Sequence, residues 1–133
     1  MDDLYGGTVR LFNEIKSISQ GIEISYVDMS KEENIEASIK PNTKMLFAET
    51  PTNPLLKIID LEKLADFARS KNIITVADNT FCSPYIQRPL TKGFDYVIHS
   101  ATKYLCGHSD VIMGVLVMNC LLYTSPSPRD VVP

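Results

Sequence analysis

The strongest constraint on the fold is an alternation of short apolar runs with stretches of helical periodicity. Residues 44–49, 73–77, 96–99 and 111–117 are apolar runs of strand length. Between the first two, Asp60 stands as a cap before Leu61, Leu64, Ala65 and Ala68, which recur on one helical face, with Arg69 and Lys71 near the negative end. Nearer the N-terminus, Leu11, Phe12, Ile15 and Ile18 form a second stripe after Thr8, and Gly21 is placed as its stop. Residues 22–27 read as a short strand. Ser30-Lys31-Glu32-Glu33 is a capping-box pattern opening a helix to about Lys40, where Pro41 ends it. Strands alternating with helices of this length predict an α/β fold, a mostly parallel sheet with flanking helices.

With 44% hydrophobic and 22% charged residues, a chain of 133 residues has the composition of one packed core rather than of a disordered segment. A net charge of -3 without any basic stripe argues against a nucleic-acid partner or an anionic membrane. No apolar run reaches the length of a membrane span, and Met1-Asp2-Asp3 lacks the features of a signal peptide, so a cytoplasmic setting is the expectation. Cys82, Cys106 and Cys120 form no Cys-x-x-Cys pair and read as free thiols that pack as small apolar residues.

In sheets of this kind ligands sit beyond the carboxyl ends of the strands. Glu49 with Asn53, then Asp78, then Ser100 through Lys103 all follow predicted strand ends, so three loops converge on one crevice. Lys103, Asp78 and the pair Ser100 and Thr102 suit pyridoxal phosphate (PLP) chemistry. That chemistry needs an amine able to lose its proton, an anion that keeps the pyridine nitrogen protonated, and small donors for the phosphate. Singly, each has a plainer reading: Asp78-Asn79 as a turn or capping pair, Lys103 as a solvated loop lysine. His108-Ser109-Asp110 holds the residue types of a hydrolase triad, but sequence neighbours seldom face one another, and these read as a loop. His99 and His108 have no third ligand at metal spacing, so no metal site is expected and His99 reads as a packing residue.

The run Asp95-x-x-x-x-Ser100-Ala101-Thr102-Lys103-Tyr104-Leu105-x-Gly107-His108-Ser109 carries a resemblance to a known family. So do Asp3-Leu4-Tyr5-Gly6-Gly7-Thr8, Glu49-Thr50-Pro51-Thr52-Asn53-Pro54, Asp78-Asn79-Thr80-Phe81 and Gln87-Arg88-Pro89-Leu90. Together they resemble the PLP-dependent enzymes of cysteine and methionine metabolism, the trans-sulfuration family, from about Asp2 to Asn119. The resemblance implies pyridoxal 5'-phosphate as cofactor and a PLP-dependent transferase-like large domain of the aspartate aminotransferase type (fold type I), held incompletely in residues 1–119. It implies that Lys103 bears the cofactor and then shuttles protons, and that Asp78 partners the pyridine nitrogen. Ser100 and Thr102 become phosphate ligands, Tyr5 a catalytic ring stacked on the cofactor, and Asn53 a neighbour of its phenolic oxygen. A small sulfur amino-acid substrate and a homotetrameric parent enzyme are implied as well.

Within the family, Gly7 stands where methionine γ-lyases carry cysteine. Cys82-Ser83-Pro84-Tyr85 and Val111-Ile112-Met113-Gly114 are more similar to eukaryotic γ-lyases. The implied reaction is γ-elimination of cystathionine to cysteine, 2-oxobutanoate and ammonia. γ-Synthase or β-lyase chemistry and an inactive truncated chain are the alternatives. By the same comparison the chain is a central fragment, without the upstream glycine loop, the tyrosine and arginine lent by a neighbouring subunit, or a C-terminal domain with its carboxylate-binding arginine, and Met1 need not be a true start. After Asn119 or Cys120 the pattern stops, and residues 121–130 resemble translated sequencing-adapter read-through. With Pro126, Pro128 and Pro133, residues 120–133 read as a non-native or disordered tail.

Overall fold

The structure, a computed structural model, describes residues 1–119, and the predicted tail at 120–133 lies outside the described residues. Among the described residues one sheet holds β1 (Met45–Glu49), β2 (Ile74–Asp78), β3 (Tyr96–Ser100) and β4 (Gly114–Met118), in that order across the sheet. β1, β2 and β3 are parallel, and β4 runs antiparallel to β3. The mostly parallel sheet expected from the alternation is therefore present.

The register decides which side chains share a face. Glu49 lies opposite Asp78, and Asp78 opposite Ile98. Because side chains alternate along a strand, Leu46, Ala48, Thr75, Ala77, Val97 and His99 project from one face, while Phe47, Glu49, Val76, Asp78, Ile98 and Ser100 project from the other. The first face is covered by α4 (Leu61–Ser70), the crossover from β1 to β2, whose start is capped as the sequence predicts: Asp60 Oδ1 accepts the Lys63 N–H at 3.1 Å. Its buried stripe is Leu61, Leu64, Ala65 and Ala68, and it joins Leu46, Ala48, Ile73 and Ala77 in the core. Burying one such leucine contributes about 1.5–3 kcal/mol. Buried Thr75 then fixes where β3 begins, since its N–H and hydroxyl donate to Asp95 Oδ2 at 2.8 and 2.9 Å.

The other face receives the N-terminal segment. α1 (Gly6–Arg10) leads through a π-helical stretch (Leu11–Lys16) into α2 (Ser17–Gln20), and Gly21 closes it with φ 62°. Phe12 meets Phe47 edge-on with ring centroids 5.3 Å apart. Leu11, Ile15 and Ile18 remain exposed, so most of the predicted stripe is not covered by the described residues.

Three expectations need correction. Residues 22–27 form no strand, because among the described residues no neighbouring strand completes a ladder with them; Tyr26 instead anchors the segment through its hydroxyl to Asn13 Oδ1 at 2.8 Å. The capping box does not form. Ser30 turns back to Asp28, whose Oδ1 accepts both the Ser30 N–H (3.1 Å) and its hydroxyl (2.7 Å), and α3 (Glu32–Ser38) starts from Lys31 without a side-chain cap. β4 begins at Gly114 rather than at Val111, because Met113 is bonded back to Thr102 instead of to β3.

Candidate active site at the carboxyl ends of the strands

Glu49, Asp78 and Ser100 end three neighbouring strands on the face opposite α4. Asp78 Oδ1 accepts from the Thr80 N–H at 3.0 Å and from the Thr80 hydroxyl at 2.5 Å. That same hydroxyl accepts the Ser100 N–H at 2.8 Å, and the Asn79 N–H reaches the Ile98 carbonyl at 2.9 Å. Ser100 then opens the turn that carries Lys103: the Lys103 N–H donates to Ser100 O at 3.0 Å, and Lys103 O accepts from Gly107 at 2.8 Å. Ala101, 1% exposed, roots the turn in the core. Thr102 fastens it to the start of β4, since its hydroxyl accepts the Met113 N–H at 2.9 Å and lies 3.3 Å from the Met113 carbonyl. Lys103 itself is exposed and forms no ion pair among the described residues.

The loop after β1 is built around two buried threonines. Thr50 Oγ1 accepts the Ile59 N–H at 3.1 Å, and Thr52 Oγ1 accepts the Lys57 N–H at 2.8 Å. The Thr52 hydroxyl donates to Asp3 Oδ2, which also accepts the Leu55 N–H at 3.0 Å. Asp3 thus draws the N-terminal segment against the loop that bears half-buried Asn53. Tyr5 follows, its N–H donating to Glu49 Oε2 at 3.0 Å while its ring stays half exposed. Burial pushes the Glu49 carboxyl up to about 7, and the charges of Asp78 and Asp3 push the same way against the Tyr5 N–H.

Asn79 and Gln87 stand in the family-like motifs without a cofactor role of their own, and the structure gives both a place beside the site. Asn79 is buried; its Nδ2 donates to Gln87 O at 2.8 Å, and Gln87 Nε2 donates to Asn79 Oδ1 at 2.9 Å and Thr50 O at 3.2 Å. This network joins the loop after β2 to the loop after β1. His99 projects from the opposite face, buried, with Nδ1 lacking a partner among the described residues; burial lowers its pKa while Asp78 opposes the shift. His108 lies in an exposed loop, Nδ1 2.6 Å from Cys106 O. Among the described residues no group of three metal-ligating side chains gathers.

These groups fit a PLP cofactor. Asp78 Oδ1 accepts two hydrogen bonds while Oδ2 accepts none among the described residues, so one carboxylate oxygen is left open to a ring N–H. The Ser100 hydroxyl likewise has no partner there, and Lys103 supplies an unpaired amine on the adjoining turn. The Thr102 hydroxyl is already engaged by Met113 and brings less free capacity for a phosphate.

A family model described as Cys/Met metabolism PLP-dependent enzyme matches residues 1–127. Cystathionine beta-lyase of Coxiella burnetii is 56% identical over 118 residues, covering 89% of this chain and 30% of the relative. Cystathionine gamma-lyase of Bacillus subtilis is 53% identical over 116 residues (87% and 30%), and that of Homo sapiens 53% over 121 residues (90% and 30%). Among solved structures, cystathionine gamma-lyase from Lactobacillus plantarum complexed with L-serine superposes with a TM-score of 0.86 at 46% identity, over 88% of this chain and 30% of its own. The chain therefore spans about 30% of the length of these relatives.

Proposed function

The chain belongs to the Cys/Met metabolism PLP-dependent enzymes, and from that premise we propose that the protein carrying it is a cystathionine γ-lyase, releasing cysteine, 2-oxobutanoate and ammonia. The observation that supports this reading is that the turn carrying Lys103 opens at Ser100, whose N–H is bonded to the same Thr80 hydroxyl that donates to Asp78 at the end of β2. In the proposed site Lys103 Nζ would hold the cofactor and Asp78 would accept from its ring N–H. Ser100 would donate to the phosphate, joined by Thr102 if its hydroxyl turned from the Met113 carbonyl, while the Tyr5 ring would stack on the cofactor and Asn53 would serve its phenolic oxygen. When bound, PLP supplies an electron sink for the negative charge left at the substrate α carbon. Once the substrate amine had displaced it from the cofactor, the free Lys103 amine would take the α proton and then move protons at the β carbon, so that sulfur could leave from the γ carbon.

Residues 1–119 are, on this reading, part of the PLP-binding large domain of a cytoplasmic homotetramer acting on a small sulfur amino acid, and the 133-residue chain alone turns nothing over. Among the described residues no helix is long and apolar enough to cross a membrane. A second reading, β-lyase chemistry, is favoured by the 56% identity to the Coxiella burnetii relative; γ-synthase chemistry would use the same cofactor groups. The test is the full-length protein incubated with cystathionine and PLP. Cysteine with 2-oxobutanoate is the expected outcome. Homocysteine with pyruvate marks the β-lyase, and intact cystathionine refutes both lyase readings.

A further inference from the structure

Parallel strands β2 and β3 come from separate parts of the chain, and their pairing ends where the candidate site begins. The last backbone bond between them runs from Asn79 N–H to Ile98 O. Beyond it one side chain spans the gap. Thr80 Oγ1 accepts the Ser100 N–H at 2.8 Å, and with that acceptor site taken its proton is directed to Asp78 Oδ1 at 2.5 Å. The Thr80 N–H reaches the same oxygen at 3.0 Å. An aspartate carboxylate turns readily about its last torsion, whose profile is broad and two-fold. Two donors converging on Oδ1 remove that freedom and leave Oδ2 as the outward oxygen. Hydrogen bonds to a charged acceptor are the strong kind, so the constraint holds under thermal motion.

We propose that Thr80 is a positioning residue: its hydroxyl locks the Asp78 carboxylate and the start of the Ser100–Lys103 turn into one unit, setting the anion and the amine in register with a single bound cofactor. The inference rests on the reading of Asp78 and Lys103 given under the proposed function. Asn79 and Gln87 act one layer further out, holding the backbone of the same loop against Thr50. Among the described residues Thr80 alone is hydrogen-bonded to both the carboxylate and the turn.

The experiment uses the full-length protein loaded with PLP labelled with nitrogen-15 in the ring. Three substitutions are compared: Thr80→Val, which keeps the shape and loses the hydroxyl; Thr80→Ser, which keeps the hydroxyl; and Asp78→Asn. The readouts are the ring-nitrogen chemical shift, the PLP dissociation constant and the rate of α-proton exchange in deuterium oxide. Thr80→Val is expected to move the ring nitrogen toward its neutral form and to weaken PLP binding and slow exchange about tenfold or more, the scale of one hydrogen bond to a charged group. Thr80→Ser restores the ring signal. Where Thr80→Val does not fold, Thr80→Ala removes the same hydroxyl with less crowding and is expected to behave alike. A wild-type ring signal and affinity in the hydroxyl-free variant overturns the proposal, as does equal impairment of Thr80→Ser, which would make the methyl group the functional part. If Asp78→Asn also keeps the wild-type ring signal, the assignment of Asp78 itself falls, a different failure from that of Thr80.

Discussion

Replacing Glu49 by glutamine should make the folded chain more stable above neutral pH and leave it unchanged in acid. Glu49 is 6% exposed, and burial, with Asp78 and Asp3 nearby, raises its carboxyl from 4.5 to about 7. The folded state therefore binds a proton more tightly than the unfolded chain, and between those two values wild-type stability falls as pH rises. At about 1.4 kcal/mol for each tenfold in proton affinity, the full cost above pH 7 is about 3 kcal/mol. Glutamine matches the protonated acid in shape, keeps an oxygen to accept the Tyr5 N–H, and cannot ionise. The assay is urea unfolding of the 133-residue chain without cofactor, followed by far-ultraviolet circular dichroism at pH 4.5 and pH 8. The Glu49→Gln advantage should be near zero at the lower pH and about 3 kcal/mol at the higher. An advantage that does not change with pH, or a deficit at pH 8, would mean that burial does not raise the Glu49 carboxyl in the folded chain.

Asp78→Asn in the full-length protein should retain bound PLP yet lose most α-proton exchange, because a neutral amide does not favour a protonated ring; exchange at the wild-type rate would show that Asp78 is not the ring partner. Leu64→Ala removes a side chain 2% exposed beneath β1 and β2 and should cost about 2–5 kcal/mol in urea unfolding, with a loss below about 1 kcal/mol contradicting the packing of α4.

The elements legible from sequence are those whose causes lie within a few residues. α4 is legible because its cap at Asp60 and its buried stripe from Leu61 to Ala68 belong to one contiguous segment. The ends of β1, β2 and β3 were legible because apolar runs stop there at Glu49, Asp78 and Ser100. Residues 22–27 have a strand's composition, but a strand exists only with a ladder partner, and a single sequence does not say where that partner is. The capping box failed on a competition between Glu33 and Asp28 for Ser30, which the pattern alone cannot rank. Lys103, Asp78 and Ser100 could be grouped from the rule that ligands sit at strand ends. Thr80, Asn79 and Gln87 could not, because their bonds to Ser100 and Thr50 join segments far apart in the chain. The signal available for Thr80 was its position two residues after a strand-end aspartate, where a hydroxyl commonly turns back to a carboxylate.

Whether Lys103 holds the cofactor is read most directly by borohydride reduction of the PLP-loaded full-length protein followed by peptide mapping. A pyridoxyl label on the peptide containing Ser100-Ala101-Thr102-Lys103, at Lys103, is the predicted result. A label on any other lysine, or no reducible label in a protein that cleaves cystathionine, would contradict it.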